Sequence, residues 1–410
     1  MELYNSLAII IVLAAVYGFI NVRYLMLPNT IAVMIMALLT SLVMILVGMI
    51  FPSFLSKTIK MIDQVDFYTI LMKIMLSFLL FAGSIEVKLD ELRKERTTVF
   101  TFSTLGVLIS TIVVGVLLFF TCKLFHLQID FIYCLLFGAL ISPTDPIAVM
   151  GILKKANIPA TLETKISGES LFNDGVAVVI FISIYEIIQK GIENLSVFDI
   201  LLLFITEAGG GILLGVILGF IAFWALKSID HYKVEVMITL ALVMGGYTLA
   251  EVLHISGPLA MVAAGILIGN RGRQMGMSEE TRDYIDKFWE MIDEVLNAIL
   301  FILIGLEMMV IKFTSVYLWL GILSIFIVLF ARLVSVWLPI SVLKYRKTFE
   351  KNAISILTWG GLRGGISVAL ALSLPKEMFG EMFVSITYII VLFSILVQGL
   401  TIGKLAKKLV

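Results

Sequence analysis

Cysteine, histidine, proline and charge are all scarce in this chain of 410 residues, and each scarcity removes a class of answer. Two cysteines, Cys122 and Cys134, are too few for a disulfide framework and wrongly spaced for a metal cluster. The three histidines, His126, His231 and His254, fall in expected loops or helix ends, where solvated positions explain them better than pH sensing. Thirty Lys and Arg balance thirty Asp and Glu, so no net field draws in nucleic acid. Charged residues make up 15% of the chain and apolar ones 60%, where a soluble domain carries roughly 25% and 45–50%. Mean hydropathy is +1.08. A water-soluble fold is excluded, and an all-α, polytopic integral membrane protein is expected.

At about 20 apolar residues per crossing, thirteen spans emerge, at roughly 5–21, 28–50, 67–86, 98–121, 130–152, 165–188, 197–225, 234–252, 256–269, 287–310, 315–340, 352–374 and 382–403. The ninth looks short and the tenth begins amphipathically. The first span has neither a basic leader nor a clear cleavage site, so it is expected to be a retained helix. Lys and Arg test the parse. Loops after odd-numbered spans hold 21 of them, from Arg23 to Lys408. The opposite loops hold six: Lys57, Lys60, Lys123, Lys190, Lys312 and Lys376. Lys73, Arg332 and Arg363 fall within spans. This split is what the positive-inside rule predicts for an external N-terminus and a cytoplasmic C-terminus. No loop is long enough for a soluble domain and no tail follows the last span, so neither nucleotide nor nucleic acid is expected as a partner.

Eight prolines serve the whole chain, and two of them bracket Thr144-Asp145 in the fifth span, as Ser142-Pro143-Thr144-Asp145-Pro146. Proline removes a backbone donor and clashes with the preceding turn, so the helix is expected to unwind there. Backbone left unpaired in hydrocarbon is costly, and such a break survives only where it lines a cavity or is buried in protein. A second break is expected at Gly360-Gly361-Leu362-Arg363-Gly364-Gly365 in the twelfth span, where four glycines flank one arginine. The two segments lie seven spans apart, so they enter the membrane from opposite sides, as an inverted-topology repeat requires. Interrupted helices in matching places of two inverted halves point to a transporter's midplane site. A proline kink and a glycine packing face would explain each break alone. The opposite charges at their centres favour crossed, broken helices instead. Asp145 is then placed to cap positive half-helix ends and Arg363 negative ones.

The sixth span carries Gly168-Glu169-Ser170-Leu171-Phe172-Asn173-Asp174-Gly175. A carboxylate at bilayer depth costs roughly 2.5–3.5 kcal/mol on insertion scales and marks an ion or proton pathway by default. Ser170 and Asp174, at i and i+4, share one helical face and offer a hydroxyl and a carboxylate to one point. Such oxygen ligands suit a hard cation. Asn173 adds an uncharged amide for a neighbouring helix, and Glu169 is expected to pair with Arg363. The alternative, that Glu169 and Asp174 are only buried ion pairs, leaves three acids for one well-placed arginine. At least one acid should lack a fixed partner and exchange a proton for a cation.

These three blocks, with Ile147-Ala148-Val149 after the first and Trp359 before the last, resemble those of the cation:proton antiporter-1 family. Its NhaP-type members are prokaryotic sodium/proton antiporters related to the eukaryotic sodium/hydrogen exchangers. The resemblance extends over essentially the whole chain. It implies a multi-pass protein of a prokaryotic cell membrane, serving sodium and pH homeostasis without a cofactor and working as a homodimer. An ion-transporting core (approximately 97–190 and 315–410) would move against a dimerisation scaffold (approximately 1–96 and 197–310). Asp174 would be the carboxylate for which proton and sodium or lithium compete, with Thr144, Ser170 and Asp145 completing the ion shell. Asn173, Glu169 and Arg363 would form the supporting network. Asn173, where electrogenic relatives carry a second acid, implies electroneutral one-for-one exchange.

Gly365 stands where the family pattern has Ala and Ser167 where it has Glu; neither touches the implied shell. Glu86, near the basic end of the third span, corresponds loosely to an acid lining a funnel. Asn297 matches a family Asn, with a polar contact between helices as the plainer reading. Glu207, Glu251 and Glu307 read as helix-end residues or as partners of Lys73 or Arg332. Potassium/proton exchange on the same fold stays open, because selectivity depends on cavity size. A channel is disfavoured by the titrating buried acid. An intramembrane aspartyl protease using Asp145 and Asp174 lacks a water-activating dyad.

Overall fold

The computed structural model describes residues 2–53, 69–145, 149–150, 153, 158–191, 197–311, 314–345, 347, 349–350 and 352–409. Pro146, Ile147 and Ala148 of the first block lie outside the described residues, as do Lys57, Lys60, Lys154, Lys155, Lys312, Arg346, Lys351 and the Lys73 side chain. Every expected span falls on helix, and no strand occurs among the described residues. The elements are α1 (Glu2–Ile20), α2 (Asn29–Ile50), α3 (Leu76–Ile85), α4 (Leu89–Thr101), α5 (Val107–Leu124), α6 (Phe131–Ile141), α7 (Ala160–Lys190) and α8 (Val197–Lys227). They continue with α9 (Tyr232–Val252), α10 (Gly257–Leu267), α11 (Glu279–Glu307), α12 (Ser315–Leu343), α13 (Ala353–Trp359), α14 (Gly365–Leu372), α15 (Gly380–Phe393) and α16 (Gly399–Leu409). Helices α4 and α5 run on through a π-helical turn, Phe102–Gly106, as do α15 and α16 through Ser394–Gln398.

Among the described residues, eight continuous helical stretches are long and apolar enough to cross a bilayer. The remaining expected spans deviate for local reasons. Ser256 caps α10 by accepting from the Leu259 N–H, with Pro258 in the first turn, and a π-helical turn from Ile268 to Gly272 ends it. Helix α11 starts eight residues before the apolar run, because Ser278 caps it and Glu279 and Glu280 occupy its positive first turn. The fifth and twelfth spans are broken, as their prolines and glycines require: α6 stops at Ile141, and α13 and α14 are separated by Gly360–Gly364.

Two sets of helices pack mainly among themselves. Helix α2 lies on α11, and α10 lies between α3 and α8; α5 packs on α6 and α12, and α15 on α12 and α14. Lipid tails are as apolar as leucine, so contact in the membrane rests on close approach rather than on expulsion of water. At Gly215 a Cβ would stand 2.1 Å from the Ala260 carbonyl oxygen, so only glycine lets α8 and α10 meet this closely. Trp289 fills the space between α11, α3 and α9: its ring meets that of Phe81 at a tilt, centroids 4.7 Å apart, and its Nε1 donates to Thr239 at 3.1 Å. The two cysteines are free and buried, but their thiols meet each other across α5 and α6, a contact that their spacing does not suggest. His126 and His254 sit just past helix ends with positive φ, and His231 precedes α9, as expected of loop positions.

The loops after the third, fifth, ninth, eleventh and thirteenth spans meet at one end of the bundle. Asn270 donates to the Val87 carbonyl at 2.9 Å, Lys347 pairs with Glu95 at 3.2 Å, and Asn352 donates to the Leu409 carbonyl at 3.0 Å. Lys165, fully buried beside the Phe349 ring, pairs with Glu350 at 2.9 Å, and Thr161 donates to the same carboxylate. Burial alone would push Glu350 up. The hydrogen bonds from Thr161 and Lys165 outweigh it and hold the carboxyl below its ordinary 4.5. A folded-state value below the unfolded one gives stability that is present above the unfolded value and lost as pH falls through the folded one. Glu350→Gln is therefore expected to lower the melting temperature at pH 7, and the gap from the parent protein should close on acidification below pH 4.5, as read by thermal unfolding in detergent.

Candidate functional site

The two interruptions cross. Asp145 donates its backbone N–H to the Leu362 carbonyl at 2.8 Å, so the unwound strands are hydrogen-bonded to each other at their centres. This answers the accounting that hydrocarbon imposes on free backbone groups. The Arg363 guanidinium donates to the carbonyls of Ser142 and of Pro143, the latter at 2.9 Å. It thereby caps the negative end of α6. The Asp145 carboxylate lies against Gly364, where a Cβ would come within 2.5 Å of Oδ2, directly before the positive end of α14. Each charge therefore sits at the half-helix end that its sign favours. At the neighbouring Gly365 a Cβ would collide with Leu300 of α11, so the departure from the family's Ala admits that side chain.

Helix α7 runs unbroken past this crossing and presents its polar block to it. Asn173 holds the unwound strand at Thr144 twice: Nδ2 donates to the threonine hydroxyl at 2.7 Å, and Oδ1 accepts from the Thr144 N–H at 3.4 Å. The Ser170 hydroxyl meets the same Thr144 hydroxyl at 3.0 Å. Ser170 thus reaches the site through Thr144. Asp174 is 6% exposed, and among the described residues its Oδ1 has no hydrogen-bond partner. It opens on a cavity of about 80 Å³ shared with Thr144, Asp145, Gly364, Ser367 and Asn297. A water molecule's share of liquid volume is about 30 Å³, so the space admits an ion with a little water and nothing much larger.

The supporting charges differ from expectation at one point. Glu169 pairs with Arg332 of α12, not with Arg363: both guanidinium Nη atoms donate to its two carboxylate oxygens, one at 3.0 Å, and Nε donates to the Leu357 carbonyl at 3.2 Å. Both residues are more than nine-tenths buried. The planar fork of Arg332 satisfies both oxygens of Glu169 at once, which leaves Arg363 free to serve the α6 carbonyls. Among the described residues Asp174 makes no ion pair, and its Oδ1 is bare. Glu86 lies on a separate, larger cavity of about 400 Å³ at the end where the basic loops meet, with Glu91, Glu163 and Asp293. Among the described residues, Asn297 makes no hydrogen bond between helices through its amide: Nδ2 bonds back to the Asp293 carbonyl one turn earlier at 2.8 Å, and Oδ1 is buried without a partner.

Sequence reasoning passed over Asp293 and gave Arg332 to other acids. Asp293 was hidden in the polar start of α11, although its i, i+4 relation to Asn297 was available. Nothing in the sequence distinguishes Arg332 from Arg363 as the partner of an acid 163 positions away from one of them.

The chain matches the sequence profile described as sodium/hydrogen exchanger, transmembrane, over residues 9–408. It is 49% identical to the Na(+)/H(+) antiporter NhaP of Pseudomonas aeruginosa over 99% of this chain and 96% of that protein. Identity to the Na(+)/H(+) antiporter NhaH of Halobacillus dabanensis is 35%, covering 84% of each. In fold it is similar to the sodium proton antiporter MjNhaP1 of Methanocaldococcus jannaschii, with a TM-score of 0.79 at 21% identity over 100% of this chain and 99% of that one. A matched profile spanning nearly every residue, with a relative at this identity over the full length, settles the classification: this chain belongs to the sodium/hydrogen exchanger family.

Proposed function

We propose that the protein is a secondary-active antiporter that exchanges sodium or lithium for protons across the cell membrane, with both ions competing for Asp174. The observation that carries this reading is the Oδ1 of Asp174, without a partner among the described residues, in a small cavity beside crossed, broken helices. A carboxylate buried there binds either a proton or an alkali cation, and in both forms it is neutral. That neutrality is what makes it movable through a low-dielectric interior. Thr144 and Asp145 line the same cavity and supply further oxygens, and Ser170 and Asn173 hold Thr144 in place. Glu169 is offset by Arg332, and Asp145 and Arg363 carry opposite charges at the crossing, so these four sum to zero without Asp174. One titrating acid then carries one positive charge in each direction, which makes the exchange electroneutral. Asn173 in place of a second acid supports the same stoichiometry, and relatives described as Na(+)/H(+) antiporters support the choice of ion.

In this reading the helices around the crossing (approximately 97–190 and 315–410) move against a scaffold (approximately 1–96 and 197–310) that also makes a homodimer. The N-terminus is external and the C-terminus cytoplasmic, which places the acidic cavity with Glu86 on the cytoplasmic side. The test is exchange in proteoliposomes holding a trapped pH dye, driven by sodium, lithium or potassium gradients with and without an imposed potential. Sodium and lithium should drive proton movement at a rate the potential does not change. Potassium driving it equally would reassign the ion, and a rate that follows the potential would overturn one-for-one exchange.

A further inference from the structure

Helix α11 carries a polar stripe that neither the crossing nor the packing of the fold accounts for. Asp293, Asn297 and Leu300 follow one another at i, i+4 and i+7, on one face. Leu300 touches the start of α14 at Gly365. Asn297 lines the cavity of Asp174, and Asp293 lines the larger cavity of Glu86. The stripe therefore bridges the two. Among the described residues, Leu171 of α7 and Gly83 of α3 line both spaces, so their apolar contact stands between the cavities. Asn297 is 3% exposed, yet its Oδ1 accepts nothing among the described residues. Its orientation is fixed by the bond from Nδ2 to the Asp293 carbonyl, because a carbonyl only accepts. Asp293 Oδ1 is likewise buried with no partner. An orphaned acceptor in the interior costs free energy, typically 1–3 kcal/mol, and two such acceptors one helical turn apart share an obvious remedy: a cation.

Resting on the exchange reading above, we propose that Asp293 and the Asn297 carbonyl oxygen form an antechamber site for a monovalent cation, from which it passes the Leu171–Gly83 contact to Asp174. The ion leaves bulk water in the wide cavity, exchanges part of its hydration shell for Asp293, and is handed forward by the uncharged oxygen of a residue that shares its cavity with Asp174. Asn297 is suited to the handover because a neutral ligand holds the ion weakly enough to release it, as multi-site conduction requires. Both residues belong to α11, outside the motif blocks that form the crossing. They act on access, and Asp174 on exchange.

Sodium-22 uptake into proteoliposomes, started separately from each face, tests this. Asp293→Asn and Asn297→Ala should each raise the KM for sodium about fivefold, as loss of a nearby charge or dipole dictates, and only from the face on which the wide cavity opens. Asp293→Glu should restore most of the affinity, and Asn297→Ser, which keeps an oxygen, should fall between; either serves if a harsher substitution fails to fold. An unchanged KM at that face overturns the antechamber, as does an equal loss of maximal rate from both faces, which is the signature of a structural role. Undiminished exchange by Asp174→Asn in the same vesicles would instead overturn the exchange reading, and the antechamber with it.

Discussion

Asp174→Asn is expected to reduce sodium/proton exchange at least about 100-fold while leaving a protein that folds and melts no lower than the parent. The asparagine matches the carboxylate in shape but neither releases a proton nor neutralises a cation, so the step that defines the exchange has nothing to act on. Stability should hold or rise, because an ionisable group with a bare oxygen at this depth is a net expense that insertion scales place at roughly 2.5–3.5 kcal/mol. No ion pair is lost in the substitution: among the described residues Oδ1 has no partner to leave behind. The same two measurements, exchange in proteoliposomes and thermal unfolding in detergent, distinguish this from a merely packed acid. A variant that exchanges at the parent's rate, or one that unfolds sharply earlier, would show that Asp174 is structural.

Arg332→Ala is expected to show the opposite pattern, a large loss of stability. It strands Glu169, which is 2% exposed and takes both carboxylate bonds from this one guanidinium. Breaking one side of a buried pair typically costs about 3–5 kcal/mol, whereas replacing both members with apolar groups is often neutral or better. Glu169→Leu combined with Arg332→Leu should therefore recover most of what Arg332→Ala loses, and a double-mutant cycle on melting temperature reads the coupling directly. Arg332→Lys should recover little, since a point charge cannot reproduce the fork or the bond from Nε to the Leu357 carbonyl. Additive single losses would mean that the pair is incidental.

The crossing was legible because helix-breaking residues are expensive in a membrane and were placed around charges of opposite sign. Pro143, the glycines from Gly360 to Gly365, Asp145 and Arg363 leave few other arrangements, and the coordinates join them through Asp145 N–H and the Leu362 carbonyl. Ser170 and Asp174 were legible from helical periodicity alone. Pairing was not. Arg332 sits in an unbroken apolar helix with no local mark of its partner, and the choice between Arg332 and Arg363 for Glu169 depends on how α12 and α13 turn toward α7. The role of Ser170 in bracing Thr144 is a fact of packing for the same reason. Asp293 failed to stand out because the first turns of α11 are crowded with acids, and only its depth separates it from the solvated ones.

Glu169 on α7 and Arg332 on α12 belong to helices far apart in the chain, and their paired hydrogen bonds act as a rivet between them. Lys165 with Glu350 adds a second fastening one turn earlier on the same helix. Sliding α7 past α12 would strand buried charges, at a cost typically of several kcal/mol. In the exchange reading proposed above, a displacement that turns Asp174 toward the far side is therefore expected to carry α7 and α12 together as a single slab.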